Sequence, residues 1–175
     1  MKKYCALAAV LLLGLSLTGC SDQSGTSSSP LAPAAVSSSV IPAQQGSALT
    51  FYKVSGDGLH VVPVTLKVKA GDKTAMTAMK EMIRTDRHEK YPLLPAGTDI
   101  KRVTVENGTA YVDFTREINA LESSTEQTLF IAMTVNTLTE FPNIKEVRFE
   151  AEGKPPQFQL DMTRSYKRDE AYIRK

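Results

Sequence analysis

The pattern of hydrophobic and polar positions predicts strands and helices in a defined order from about residue 48 onward. LTFYKVS (49–55) reads as a short strand and SGDG (55–58) as a turn. In LHVVPVTLKVK (59–69) apolar and polar residues alternate, which is typical of a strand with one buried face. Pro63 has no backbone N–H to donate, so this second strand is predicted at an edge or near a bulge.

A helix is predicted over 73–85, because apolar residues recur there at spacings of three and four. The resulting stripe consists of Ala75, Met76, Met79, Met82 and Ile83. Methionines can form an adaptable binding face, but core packing is the preferred interpretation. YPLLPAGT (91–98) contains two prolines and a glycine and is predicted as an irregular, partly buried crossing.

Asn107-Gly108 predicts a two-residue hairpin turn, because both positions tolerate positive φ. The expected apolar face pairs Val105 with Ala110 and Val103 with Val112, and it includes Phe114. The expected polar face pairs Glu106 with Thr109, Thr104 with Tyr111, and Arg102 with Asp113. One register thus separates apolar from polar side chains and adds a cross-strand ion pair, which favours that register.

Ser123 and Glu126 match a capping box at the start of a second helix, predicted to run to about Glu140. The helix is apolar over a broad face, so it is predicted as the central core helix. Phe141-Pro142 ends it, and IKEVRFEAEG (144–153) follows as a strand.

This order of elements predicts an α+β fold, a two-layer sandwich of a mainly antiparallel sheet with two helices on one face. The predicted domain spans 48–160, and QFQL (157–160) is a candidate short edge strand. The polar C-terminal tail, 161–175, is predicted as a short, loosely attached helix.

The amino terminus predicts a lipoprotein signal peptide over 1–19. A basic start is followed by an uncharged apolar run of about 14 residues, which is too short to span a membrane. Leu17-Thr18-Gly19-Cys20 resembles the lipobox of bacterial lipoproteins, which implies a diacylglyceryl group on the thiol of Cys20. Its two acyl chains suffice for stable anchoring. The alternative is an ordinary secretory signal cut near Gly19, leaving a free thiol.

The segment 20–47 is rich in serine, alanine and proline and is predicted as a flexible tether. Such a chain spans roughly 30 Å root-mean-square. The alternative is that Ala34–Ile41 packs on the domain. Cleavage before Cys20 would remove Cys5, so no internal disulfide is expected in the mature chain.

Charge and motifs exclude several classes of function. The chain has 21 basic and 19 acidic residues, and loss of Lys2 and Lys3 with the signal leaves equal numbers, which does not indicate nucleic-acid binding. With two histidines and no mature cysteine pair, neither a zinc site nor any other metal or cofactor site is expected. Asp113 and Glu117 are a candidate acid–base pair, but an ion pair of Asp113 with Arg102 is preferred.

The order of motifs resembles the sporulation and spore germination domain, called GerMN. The resemblance covers about residues 48–156 and is most specific at LPAGT (94–98), VDF (112–114), TLTEFP (137–142) and GK (153–154). It implies an α/β domain similar to ring-building motifs of secretion machines. It also implies association with envelope complexes, frequent lipid anchoring, and no catalytic residues.

These observations favour a non-enzymatic protein-interaction module, lipid-anchored outside the cytoplasm and linked by the resemblance to sporulation or germination. Its expected partners are the membrane, through Cys20, and envelope proteins or a second copy. The alternative is a domain that binds peptidoglycan or another envelope glycan. Glycan sites usually present exposed aromatic side chains, so Tyr52 and Tyr111 exposed side by side near a groove would favour this alternative. The candidate interaction surface comprises Tyr52, Tyr111, Asn136, Thr137 and Thr139.

Overall fold

The computed structural model describes residues 46–174, so Cys20, the signal peptide and nearly all of the predicted tether lie outside the described residues. Six strands and two α-helices occur within that range. They are β1 (Ser47–Val54), β2 (Val61–Val68), α1 (Ala75–Arg87), β3 (Ile100–Glu106), β4 (Thr109–Phe114), α2 (Ser124–Leu138), β5 (Glu146–Ala151) and β6 (Tyr166–Lys167). Short 3₁₀ turns occupy Ala70–Asp72, Arg116–Ala120 and Glu170–Tyr172.

The strands form two sheets. β1 and β2 make an antiparallel two-stranded sheet, and the other four strands pair in the order β3-β4-β5-β6. The predicted α+β sandwich is confirmed, but the division into two sheets was not predicted. β4 and β5 are parallel, because the chain returns to the same end of the sheet through α2 before it enters β5.

The register predicted for the β3–β4 hairpin is confirmed at all five residue pairs. Asn107 and Gly108 both have positive φ, 50° and 84°, as a two-residue turn of this kind requires. The register shifts between Ile100 and Arg102, so a bulge interrupts the ladder at the start of β3. Sequence alone did not predict this bulge.

α1 and α2 share the core with the strands. Thr74 caps α1 by accepting a hydrogen bond from the Thr77 N–H at 3.1 Å. Met79 and Met82 are fully buried, so the core interpretation of the methionine stripe is confirmed. α2 carries the predicted capping box of Ser123 and Glu126. It is buried nearly all round, because it packs against α1 and against strands of both sheets.

A cluster of aromatic rings lies beneath α2. Phe114 and Phe130 meet edge to face with ring centroids 5.1 Å apart, and Phe149 lies 5.4 Å from Phe130. Phe158 contacts Phe130, and Tyr166 contacts Phe149, both in edge-on geometry. Such pairs stabilise beyond the area they bury, by about 1 kcal/mol each. The segment after β5 is therefore part of the core.

The predicted loosely attached helix over 161–175 is wrong. Tyr166–Lys167 instead forms β6 on the free edge of β5, and Met162 is buried. Farther on, Ile173 bridges to Val61, and the Arg174 N–H donates to the Val61 carbonyl at 2.9 Å. The tail takes this path because strand edges and core rings supply the partners that an isolated polar helix would lack.

QFQL (157–160) is not a strand either. The backbone N–H of Gln157 donates to the Asn119 side chain at 2.8 Å, and that of Gln159 donates to the Gln127 side chain at 3.0 Å. Because side chains satisfy these donors, the segment needs no strand partner.

A buried carboxylate holds the irregular crossing at 91–98. Asp86, on the last turn of α1, is 2% exposed. Its two oxygens accept hydrogen bonds from the N–H groups of Leu93 and Leu94, at 3.0 and 2.9 Å. Burial raises the pKa of Asp86 above its ordinary value, and the two N–H donors only partly offset that rise.

We predict that Asp86→Ala lowers the free energy of unfolding by about 2–4 kcal/mol, because it leaves two backbone N–H groups without an acceptor. Urea denaturation measures this change. Glu89→Ala, one turn away and paired with Lys53 at the surface, is the control and should cost less than about 1 kcal/mol. Equal costs for the two variants would contradict the prediction.

The advantage of wild type over Asp86→Ala should also depend on pH. Because the pKa of Asp86 is raised in the folded state, its protonation stabilises the fold. That contribution is fully present below the ordinary aspartate pKa of about 3.9 and is lost as the pH rises through the raised value. The difference in unfolding free energy should therefore grow as the pH falls from 7, and a difference that shrinks would contradict the prediction.

Candidate interaction site

Arg168, in the tail, lies at the centre of a polar cluster at the C-terminal end of α2. Its guanidinium donates to the Tyr52 hydroxyl at 2.8 Å, to Glu140 Oε1 at 3.1 Å and to the Asn136 carbonyl at 3.2 Å. A weaker contact reaches Thr139 Oγ1 at 3.4 Å. The carbonyls at a helix C-terminus carry partial negative charge, so a cation is stabilised there. We call these five residues the Arg168 cluster.

Tyr52 connects the Arg168 cluster to β1. The side chain is 3% exposed, and its hydroxyl donates to Glu140 Oε1 at 2.9 Å while it accepts from Arg168. Its backbone N–H donates to Thr137 Oγ1 at 2.9 Å, and that hydroxyl in turn donates to the Met133 carbonyl at 2.7 Å. Burial raises the pKa of the Tyr52 phenol, an effect that the hydrogen bond from Arg168 partly offsets.

Four of the five predicted surface residues therefore lie at one place, in or beside the Arg168 cluster. They are Tyr52, Asn136, Thr137 and Thr139. Their side chains are mostly buried, so they hold the fold together at this point and do not form an exposed surface. Tyr111 lies elsewhere, half-buried on β4. Tyr52 and Tyr111 exposed side by side would have favoured the glycan alternative, and the burial of Tyr52 excludes that arrangement.

The buried side chain of Asn136 has no hydrogen-bond partner for either its oxygen or its nitrogen within residues 46–174. Only its main-chain carbonyl takes part in the Arg168 cluster. A buried amide of this kind carries a desolvation cost, and no contact in the structure offsets it.

A groove of about 510 Å³ runs between α2 and the tail. We call it the α2–tail groove. Its apolar lining comes from Ile131, Ala132 and Val135 of α2, from Leu160 just before the tail, and from Tyr166 and Tyr172 of the tail. Charged side chains line the rest of it, namely Asp161, Arg164, Lys167 and Asp169. A smaller hollow of about 240 Å³ shares Thr128 and Tyr172 with the groove and includes the exposed Leu59.

Asp113, Glu117 and Asp57, which lie outside the groove, have structural partners. Asp113 accepts a hydrogen bond from the Gly153 N–H at 2.9 Å and lies 4.0 Å from Arg102, which is the ion pair preferred from sequence. The hydroxyl of Thr115 lowers the pKa of Glu117, the opposite of what a general acid needs. Asp57 accepts from the Leu59 N–H and contacts His60 at 3.0 Å, which fixes the β1–β2 turn.

Within residues 46–174, no three histidine, cysteine or acidic side chains come together as metal ligands would. Nor does any helix in that range have the length and apolar character that crossing a bilayer demands.

Sequence reasoning missed Arg168, because the tail lay outside the resemblance and its acceptors are spread along the chain. Tyr52 and Arg168 are 116 positions apart. The signal that could have drawn attention to the tail is the apolar content of SYKRDEAYI (165–173), which is high for a segment predicted to be loosely attached.

The structure is that of an α+β sandwich domain. The chain belongs to the Germane family, described as sporulation and spore germination, whose pattern matches residues 50–157. No match was found among the curated proteins.

Two solved structures share the fold. One contains the tandem GerMN domains of the sporulation protein GerM from Bacillus subtilis, with a TM-score of 0.51 and 24% identity over 62% of this chain and 40% of that chain. The other is the first GerMN domain of the same protein, with a TM-score of 0.50 and 25% identity over 62% of this chain and 84% of that chain. This chain thus spans less than half of the tandem structure.

We predict that Arg168→Ala loosens the tail without unfolding the domain. The substitution leaves the buried Tyr52 hydroxyl and the α2 carbonyl without their charged donor, which should cost about 2–3 kcal/mol. The increase in hydrogen-exchange rate relative to the wild-type chain should therefore be larger over 161–174 than over α1.

The matched control is Arg164→Ala, in the same tail, where the guanidinium stacks on the exposed side of the Tyr166 ring at 4.7 Å. This variant should cost about 1 kcal/mol or less and leave exchange over 168–174 unchanged. Unaltered exchange in Arg168→Ala would show that the cluster does not fasten the tail.

Proposed function

We propose that this chain is a lipid-anchored, extracytoplasmic protein-interaction module of the cell envelope and that it is not an enzyme. The LTGC sequence ending at Cys20 supports the anchor, and membership of the sporulation and spore germination family supports the setting. In a spore-forming host, the proposal extends to a role in sporulation or germination.

The observation that carries the interaction role is the α2–tail groove. Its lining combines apolar side chains with four charged ones, and protein–protein interfaces likewise combine apolar contacts with polar ones. Its volume of about 510 Å³ leaves room for apolar side chains of a partner. We propose that the partner is an envelope protein that inserts such side chains, with the charged residues of the lining fixing their orientation.

The Arg168 cluster supports this assignment because it holds one wall of the groove in place. The pairing of β6 with β5 and the Arg168 cluster at the end of α2 fix the tail at two places. A wall fixed in this way loses little conformational freedom on binding, which favours affinity. The peptidoglycan alternative lacks the support that an exposed pair of Tyr52 and Tyr111 would have given, since Tyr52 is buried.

We predict that Cys20→Ala abolishes lipid attachment. Cells expressing the full chain are fed a fatty-acid analogue that can be labelled, and the chain is then isolated and examined by mass spectrometry. The wild-type chain should carry the label on a new amino terminus at Cys20, and Cys20→Ala should carry none. An equally labelled Cys20→Ala chain would refute the anchor.

We also predict that a photo-crosslinking residue at position 172, on the wall of the groove, captures a discrete envelope protein in living cells. Position 65, on the exposed face of β2, serves as the control and should capture none. Thr128→Phe, which places a ring in the groove, should abolish the adduct, and Thr65→Phe should leave it unchanged. Adducts that form equally at both positions, or that survive Thr128→Phe, would contradict a docking role for the groove.

A further inference from the structure

β3 has one edge that no strand within residues 46–174 covers. It pairs with β4 alone and ends the four-stranded sheet. The bulge between Ile100 and Arg102 interrupts its start, so the regular part of the free edge runs over 102–106. An unpaired edge of this kind can template pairing with another strand.

The turn determines which backbone groups lie on that edge. In a two-residue turn with positive φ at both positions, the flanking residues Glu106 and Thr109 form a hydrogen-bonded pair. Because such pairs alternate along an antiparallel ladder, Arg102, Thr104 and Glu106 direct their N–H and C=O groups toward β4. Val103 therefore directs its groups outward, to the free edge, and Val105 does the same.

Two side chains on β3 lack partners that a second strand could supply. Val105 is 37% exposed, one of three large apolar residues left exposed in the described part of the chain. Glu106 is exposed, and no hydrogen bond or ion pair of its carboxylate occurs within residues 46–174. On the same polar face, the side chain of Arg102 is 62% exposed, although it lies 3.5 Å from Glu150 and 4.0 Å from Asp113.

We propose that β3 pairs antiparallel with β3 of a second copy of this chain, about a two-fold axis at Thr104. Two four-stranded sheets would then form one sheet of eight strands. The inference goes beyond the proposed function and does not depend on what binds in the α2–tail groove.

Charge complementarity selects this register. With Thr104 on the axis, Arg102 of each copy lies opposite the partner's Glu106. In the same way, Val103 of each copy lies opposite the partner's Val105. The outward groups of the valines form the hydrogen-bonded pairs, and the charged side chains occupy the closer, non-hydrogen-bonded pairs. An axis at Arg102 would place two arginines opposite each other. An axis at Val103 would leave Glu106 opposite Ile100.

The register makes a sharp test possible with single cysteines. In a non-hydrogen-bonded pair the Cα atoms are about 4.5 Å apart, within the range for a disulfide. Thr104→Cys should therefore form a disulfide-linked dimer under mild oxidation of the purified full-length chain in detergent. All chains in this test carry Cys5→Ser and Cys20→Ser, so the parent chain has no thiol and cannot form one.

Glu106→Cys is the register control. The residues at position 106 of the two chains would lie four residues apart along the strand, roughly 13 Å. That distance is too long for a disulfide. A mixture of Arg102→Cys and Glu106→Cys chains should form a mixed disulfide. We expect about tenfold more dimer from Thr104→Cys than from Glu106→Cys. Equal yields from the two variants would overturn the proposal. So would the absence of dimer from Thr104→Cys at high protein concentration.

Charge reversal tests the ion pairs separately. In the Thr104→Cys background, Glu106→Arg places like charges opposite each other and should lower the dimer yield about five- to tenfold. Adding Arg102→Glu to that chain restores opposite charges and should recover the dimer. The folded state should tolerate this change, because the Glu106 carboxylate has no partner in residues 46–174. Unchanged dimer yield in Glu106→Arg would overturn the assigned register.

Discussion

The charge of Arg168 against the end of α2 is the interaction on which the proposed binding surface depends. A buried tyrosine hydroxyl, a helix carbonyl and a carboxylate all converge on one guanidinium. Hydrogen bonds with a charged partner are about twice as strong as neutral ones. These contacts therefore stabilise the tail more than the same number of neutral hydrogen bonds would. It holds the tail along α2, and the space left between them is the α2–tail groove. Without that contact the tail would still be held by β6 and by the bridge of Ile173 to Val61, but the wall between them would be less rigid.

The local parts of the fold could be predicted from sequence, because their determinants are neighbours in the chain. Asn107-Gly108 fixes a turn, the turn fixes a register, and the register was correct at every pair. Ser123 and Glu126 likewise determine where α2 begins. The division into two sheets depends instead on how β1, α2 and β5 pack in three dimensions. No periodicity of a single segment carries that information.

The candidate site could likewise be predicted only in part, because its contacts join residues far apart in the chain. Thr137 and Asn136 were selected as polar residues on an apolar helix, and the structure places both beside Tyr52 and Arg168. Thr137 serves to satisfy a β1 backbone donor, which sequence could not indicate. Arg168 was missed because two of its acceptors are a main-chain carbonyl and a tyrosine far away in the chain. Contacts of that kind leave no pattern in the tail itself.

The two surfaces lie at opposite ends of the four-stranded sheet. β6 borders the α2–tail groove, whereas β3 forms the other end. A strand pair about a two-fold axis covers the β3 edge of both copies. No further copy can add at that edge, so the pairing does not extend into a fibre. It would leave both grooves free, one on each copy. A dimer of this kind would engage a repeated partner at two points, and the second contact would form at a high effective concentration. Each single groove can then bind weakly while the assembly binds firmly, because the strand pairing and the groove contribute separately.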